Sequence, residues 1–187
     1  MKIPSLFAII AALFAGNFDP AKAPTYETIY PFVMKDIDGH QVELSKFKGK
    51  VLLVVNVASK CGLTPQYAQL EQVFEAHKKS GLVVLGFPAN NFMGQEPGTD
   101  SEIKKFCETK YSVSFPMFSK ISVKGDDMHP LYQWLIARSE NQDPIDWNFA
   151  KFLIGRDGKV KARFSARTKP DAPEVLEAIK KELAAKS

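Results

Sequence analysis

Cysteine is scarce: the 187 residues contain two, Cys61 and Cys107. Two are too few for a disulfide scaffold or a cysteine-based zinc site. The three histidines, at positions 40, 77 and 129, show no metal-ligand spacing, so no metal is expected. Charge of either sign is hardly in excess. Lys and Arg total 25 against 21 Asp and Glu, and the resulting +4 is spread along the chain. A nucleic-acid partner is therefore not expected. No glycine-rich phosphate loop, G-x-S-x-G elbow or H-E-x-x-H helix occurs, which removes common nucleotide-binding, serine-hydrolase and zinc-protease signatures. No uncharged apolar run reaches the about 20 residues that span a bilayer. What is present is 45% apolar and 25% charged sequence, enough for one domain with a sizeable core.

Lys2 precedes an uncharged stretch from Ile3 to Phe18, with its apolar centre at Leu6 to Ala15. This suits the hydrophobic region of a secretory signal, and Ala21-Lys22-Ala23 offers a cleavage site. The expectation is a signal peptide over residues 1–23, followed by a single domain over 24–187 that is periplasmic or secreted. An uncleaved membrane anchor, or a buried helix, is the alternative.

Beyond that segment, strand and helix patterns alternate. Tyr30 to Leu44 reads as a hairpin turning at Asp38-Gly39. Val51 to Val57 is an apolar, β-branched run of the kind a strand buried on both faces shows. A helix is predicted next, with Thr64 as N-cap, Pro65 at its first position and Tyr67, Leu70, Phe74 and His77 along one stripe. Gly81 ends it, and Leu82 to Phe87 forms a second buried strand, completing a βαβ unit with parallel pairing. Thr99 and Glu102 form a capping box for a helix to about Lys110. Helices are also predicted over Pro130–Arg138 and Pro173–Ala185, with a hairpin of Phe152–Ile154 and Val160–Phe164 between them. The order implies an α/β protein with a central mixed β-sheet flanked by helices and an N-terminal hairpin, as in a thioredoxin-like fold.

The stretch Asn56 to Pro65 places Cys61 between the carboxyl end of a buried strand and a helix, where open α/β sheets carry their sites. Helix N–H groups and Lys60 would stabilise a thiolate there, and only the thiolate is a competent nucleophile. The residue three positions on is Thr64, so this is not a C-x-x-C pair. A structural cysteine would fit the apolar strand before it; the polar, turn-like Lys60-Cys61-Gly62 favours a reactive one.

Residues Gly49 through Thr64 resemble the signature of the glutathione peroxidase family, with Cys61 at the peroxidatic position. Leu85 through Gly98 is similar to the family's second block, and Trp147 through Ile154 to its third. The similarity spans about residues 27 to 182, and three long blocks in order are far more specific than a single short motif. The resemblance implies a catalytic tetrad of Cys61, Gln95, Trp147 and Asn148. Cys61 would attack a peroxide oxygen. The Gln95 and Asn148 amides and the Trp147 indole would donate hydrogen bonds to sulfur or peroxide. No cofactor is implied. The second block departs from the family pattern at Ala89 (usually Cys or Ser), Asn91 (usually Gln) and Met93 (usually Gly), which bears on loop geometry more than on mechanism.

Cys107 falls where thioredoxin-dependent members carry a resolving cysteine. With Ile103 and Phe106 it also forms an apolar helical face, so a small buried hydrophobe is the competing role. The resemblance implies a hydroperoxide substrate, including organic and lipid hydroperoxides, with membrane contact left open. A thioredoxin-like dithiol would be the reductant, or glutathione in a one-cysteine cycle. The short segment between His129 and Trp147 matches the compact, often monomeric branch. A peroxide sensor relaying a disulfide, and an exported structural domain with a permanent bridge, are the non-enzymatic alternatives.

Overall fold

The computed structural model describes residues 19–185. The apolar stretch from Ile3 to Phe18 lies outside them. Among the described residues no helix is long and apolar enough to cross a membrane. Ala21-Lys22-Ala23 lies at a short 3-10 turn, Pro20–Lys22, whose first N–H is capped by the Asp19 carboxylate.

The first hairpin forms with shorter strands than its hydrophobic pattern suggested. β1 (Val33–Lys35) and β2 (Gln41–Glu43) pair antiparallel. The Asp36 carboxylate accepts from the N–H groups of Asp38 and His40 and so folds the turn. Leu44, whose side chain is fully buried, follows β2 and opens a 3-10 turn running to Phe47.

Every residue of β3 (Val51–Val57) is buried, as its apolar run, interrupted only by Asn56, required. Helix α1 (Gln66–His77) crosses over to β4 (Leu82–Pro88), which pairs with β3 in parallel. Gly81 ends the crossover at φ +104°, a conformation open to glycine without steric cost. Thr64 does not cap α1, contrary to the N-cap expectation. Its hydroxyl is used inside the turn that carries Cys61, accepting from the Cys61 N–H at 2.9 Å and donating to the Ala58 carbonyl at 2.8 Å.

Helix α2 (Asp100–Tyr111) starts at the expected capping box: Thr99 and Glu102 exchange backbone-to-side-chain bonds in both directions. After α3 (Pro130–Ala137), β5 (Lys151–Ile154) runs antiparallel to β3, and β6 (Val160–Phe164) runs antiparallel to β5. Helix α4 (Pro173–Ala184) closes the described chain. The sheet order β4-β3-β5-β6 is mixed and flanked by helices, the thioredoxin-like arrangement expected. Each face of the sheet has its own apolar cluster. One gathers Phe87, Trp134 and Phe152; the other holds Tyr67, Phe149 and Ile179 together with both cysteines. Cys61 and Cys107 therefore share one side of the sheet.

Candidate active site

The turn between β3 and α1 carries Cys61, which is 8% exposed. Helix α1 begins five residues later than the thiol, so the sulfur does not sit on the helix terminus itself. It accepts instead from the Leu63 N–H at 3.3 Å, a donor supplied by the turn. The tight turn is fixed by the Thr64 hydroxyl, already bonded on both sides, and by the Thr64 N–H donating to the Cys61 carbonyl at 3.0 Å.

A second loop approaches from the end of β4. The Lys60 N–H donates to the Gln95 carbonyl at 3.0 Å, so the backbones on either side of the site are joined directly. Next to Gln95, the fully buried Glu96 accepts from the Ser59 hydroxyl at 2.5 Å. Burial holds this carboxyl above the usual carboxylate range, opposed by the Ser59 hydrogen bond and by the charges of Lys120 and Lys60. The loop is anchored further by Asn91, whose amide bonds Ser122, Lys124 and Val123. Met93 sits at its tip, 81% exposed with φ +54°. That backbone region favours glycine. Met93 thus holds a backbone conformation that a glycine would adopt without steric cost.

The third loop leads into β5. Asn148 is buried, and its amide donates to the Gln95 Oε1 at 3.0 Å. Asn56 on β3 donates to the Trp147 carbonyl at 3.2 Å and accepts from the Phe149 N–H at 2.6 Å. Half-buried Trp147 packs on Phe92, with ring centroids 5.7 Å apart, and lines a cavity of about 340 Å³ with Leu63, Asp146, Ala166 and Arg167. Gln95, Asn148 and the Cys61 turn are thus bonded into one unit, with Trp147 on a cavity wall shared with Leu63. Among the described residues, no hydrogen bond joins Gln95, Trp147 or Asn148 to the sulfur; the Gln95 amide nitrogen and the indole N–H have no protein acceptor.

Cys107 lies on the inner face of α2, 1% exposed. Burial pushes its thiol up to about 11, and the Glu96 and Glu108 charges add to the effect. The buried Tyr67 hydroxyl lies beside it without a hydrogen bond of good geometry. Both cysteines are free thiols.

Sequence reasoning missed three contributors: Thr64, Glu96 and Lys151. Lys151 is fully buried in β5, and its amine donates to the carbonyls of Phe149 and Thr168, each at 2.7 Å. A lysine interrupting the apolar run Phe149 to Ile154 was the available signal. Burial pushes this amine down to about 7, which has a consequence for stability. Between pH 7 and 9 the unfolded chain holds a proton that the folded chain has released, so stability rises with pH. The slope is up to about 1.4 kcal/mol per pH unit. Above pH 9 the raised Cys107 value acts in the opposite sense, since its thiol ionises first in the unfolded chain. Urea midpoints at constant ionic strength should therefore climb from pH 7 to 9 and then level or fall. Lys151→Met should lose the climb. A flat wild-type curve over that window would show that the buried amine titrates as an ordinary lysine.

Fold and site together define a thioredoxin-fold protein with a thiol-centred site assembled from three loops. Residues 29–136 match the family described as Glutathione peroxidase. The thioredoxin/glutathione peroxidase BtuE of Escherichia coli (strain K12) is 51% identical over 180 residues, covering 84% of this chain and 98% of that protein. The hydroperoxy fatty acid reductase gpx1 of Synechocystis sp. is 47% identical over 157 residues, with 80% and 93% covered. The crystal structure of Trgpx in apo form superposes with a TM-score of 0.69 at 41% identity, over 84% of this chain and 97% of that one. The chain belongs to the glutathione peroxidase family and is a peroxidase.

Proposed function

We propose that the protein reduces hydrogen peroxide and organic or lipid hydroperoxides at Cys61, in a two-cysteine cycle restored by a thioredoxin-like dithiol. The Cys61 thiolate attacks the distal peroxide oxygen. The O–O bond breaks, sulfur becomes sulfenic acid, and the departing alkoxide takes a proton and leaves as alcohol, or as water when the substrate is hydrogen peroxide. The Cys107 thiol then condenses with the sulfenic acid, forming the Cys61–Cys107 disulfide and releasing water. A reductant dithiol returns two electrons and two protons by thiol–disulfide exchange. In this reading Gln95, Trp147 and Asn148 orient the peroxide and stabilise developing charge; residues 1–23 direct export, and the domain 24–187 acts as a monomer.

The observation that carries the reading is the bonded unit of Asn148, Gln95 and the Cys61 turn. It ties the loops that carry Gln95 and Asn148 to the turn that carries the thiol, which supports reading these neutral groups as the preorganised donors that peroxide cleavage requires. Two names among the relatives support the reductant and the substrate class: one is a thioredoxin/glutathione peroxidase, another a hydroperoxy fatty acid reductase. The near-complete burial of Cys107 favours a second reading, a one-cysteine cycle with glutathione in which Cys107 is structural. Steady-state peroxide consumption with thioredoxin, with glutathione and with neither separates the two. Thioredoxin should sustain turnover, and Cys107→Ser should remove most of that activity while leaving the first oxidation of Cys61 unchanged. Full thioredoxin-linked turnover by Cys107→Ser would reject the two-cysteine cycle.

A further inference from the structure

Lys151 is difficult to explain as part of the sheet. It is the first residue of β5, paired with Val55 on one side and Phe164 on the other, and its side chain is wholly buried. Backbone pairing needs no lysine there, and a methionine would fill the space without the desolvation that an amine pays. Among the described residues, no carboxylate is bonded to the amine. Its two bonds are both to loop carbonyls, and those loops form the walls of the active site.

The first carbonyl belongs to Phe149, whose φ of +71° is rare for an aromatic residue. Three contacts hold that residue in place. Its N–H donates to Asn56, its ring meets Tyr67 edge-on with centroids 5.5 Å apart, and its carbonyl accepts from Lys151. The two residues before this turn are Trp147 and Asn148. The second carbonyl belongs to Thr168, and the adjacent Ala166 and Arg167 line the same cavity as Trp147 and Leu63. One amine therefore spans both walls.

We propose that Lys151 is a positioning residue for peroxide reduction, its amine clamping the Phe149 turn to the Thr168 loop so that Asn148 and Trp147 face Cys61. The inference rests on the reading of Asn148 and Trp147 as site residues. Donor count fits the role. A neutral amine has two hydrogens for two acceptors, whereas an ammonium leaves a third without a partner. The amine's lowered basicity agrees with that count.

The test is a double-mutant cycle on the full chain, reading the single-turnover rate of Cys61 oxidation by hydrogen peroxide at pH 7. Lys151→Met and Asn148→Ala should each slow the reaction at least about tenfold, within the roughly hundredfold that ångström-scale misplacement of reacting groups can cost. The double variant should be clearly faster than the product of the two single effects predicts, because the clamp acts in part through the residue already removed and otherwise through Trp147. Independent, multiplying effects would overturn the proposal while leaving Asn148 as a site residue. A wild-type rate for Lys151→Met would overturn it outright. A wild-type rate for Asn148→Ala would overturn the site reading, and the proposal with it. Lys151→Gln keeps two N–H hydrogens on a shorter stem and should recover part of the rate. If Lys151→Met fails to fold, Lys151→Leu, which also lacks the N–H donors, takes its place in the cycle. No recovery by Lys151→Gln, with a native near-ultraviolet spectrum, would show that side-chain volume rather than hydrogen bonding was being read.

Discussion

Cys61→Ser should abolish peroxide turnover with every reductant, down to the background reaction in buffer. A serine hydroxyl is not ionised at neutral pH and lacks the nucleophilicity of sulfur toward a peroxide oxygen. The variant should fold, because a hydroxyl can accept the Leu63 N–H as the sulfur does, and serine is slightly smaller than cysteine at a site that keeps 8% exposure. The remaining thiol cannot take over. With its value pushed up to about 11, Cys107 is ionised in only about one molecule in 10⁴ at pH 7, and it is 1% exposed on a packed helix face. Peroxide consumption, together with mass-spectrometric trapping of sulfenic acid, tests the claim. Residual turnover above background would move the nucleophile away from Cys61.

What could be read from the sequence followed how local each signal was. β3 and β4 were legible because a strand buried on both faces is apolar along nearly its whole length. The capping box of α2 was legible because Thr99 and Glu102 bond to each other's backbone across three residues. Thr64 shows the limit of such rules. Its type and position suit an N-cap, but the turn around Cys61 has a stronger use for its hydroxyl, and α1 begins without a side-chain cap. Glu96 and Lys151 show another limit. Charged side chains read as solvated, and nothing in the local pattern reports the tertiary partners, Ser59 for one and two carbonyls for the other, that allow their burial. The contact between Asn148 and Gln95 spans 53 residues of sequence. Spacing could not have found it, and only the resemblance of three separate blocks put those residues in one site.

Oxidation by peroxide should lower amide protection selectively across residues 99–112, leaving β3 little changed. Cys107 belongs to a regular helix and Cys61 to a turn at the end of a strand, and both side chains lie in one apolar cluster. A disulfide requires Cα atoms within about 7 Å and matched Cβ directions, a geometry that two residues fixed on separate elements are expected to reach by opening of α2. The helix is built in a way that makes this cheap. Of its twelve residues only Ile103 and Cys107 are buried. Its tie to the first hairpin is the exposed Lys104–Asp38 ion pair, a class of contact worth about 0.2–1 kcal/mol. Its C-terminal end stops at Ser112 with φ +53°, a conformation that costs a non-glycine residue roughly 1–2 kcal/mol. Opening also changes the chemistry. While α2 is folded, burial and the Glu96 and Glu108 charges keep the Cys107 thiol at about 11; in solvent a cysteine returns to about 8.5, with more than about a hundredfold more thiolate at neutral pH. In the two-cysteine reading, the segment that moves to reach the sulfenic acid is thus the one whose movement releases the attacking group, and local openings of this kind lie far below the cost of global unfolding. Hydrogen exchange on reduced and peroxide-treated protein reads the change, with Cys107→Ser as the control that should show none. Unaltered protection over 99–112 in a sample whose Cys61–Cys107 bond is established by peptide mapping would mean that the thiols meet without unwinding, and the coupling between opening and reactivity would have to be given up.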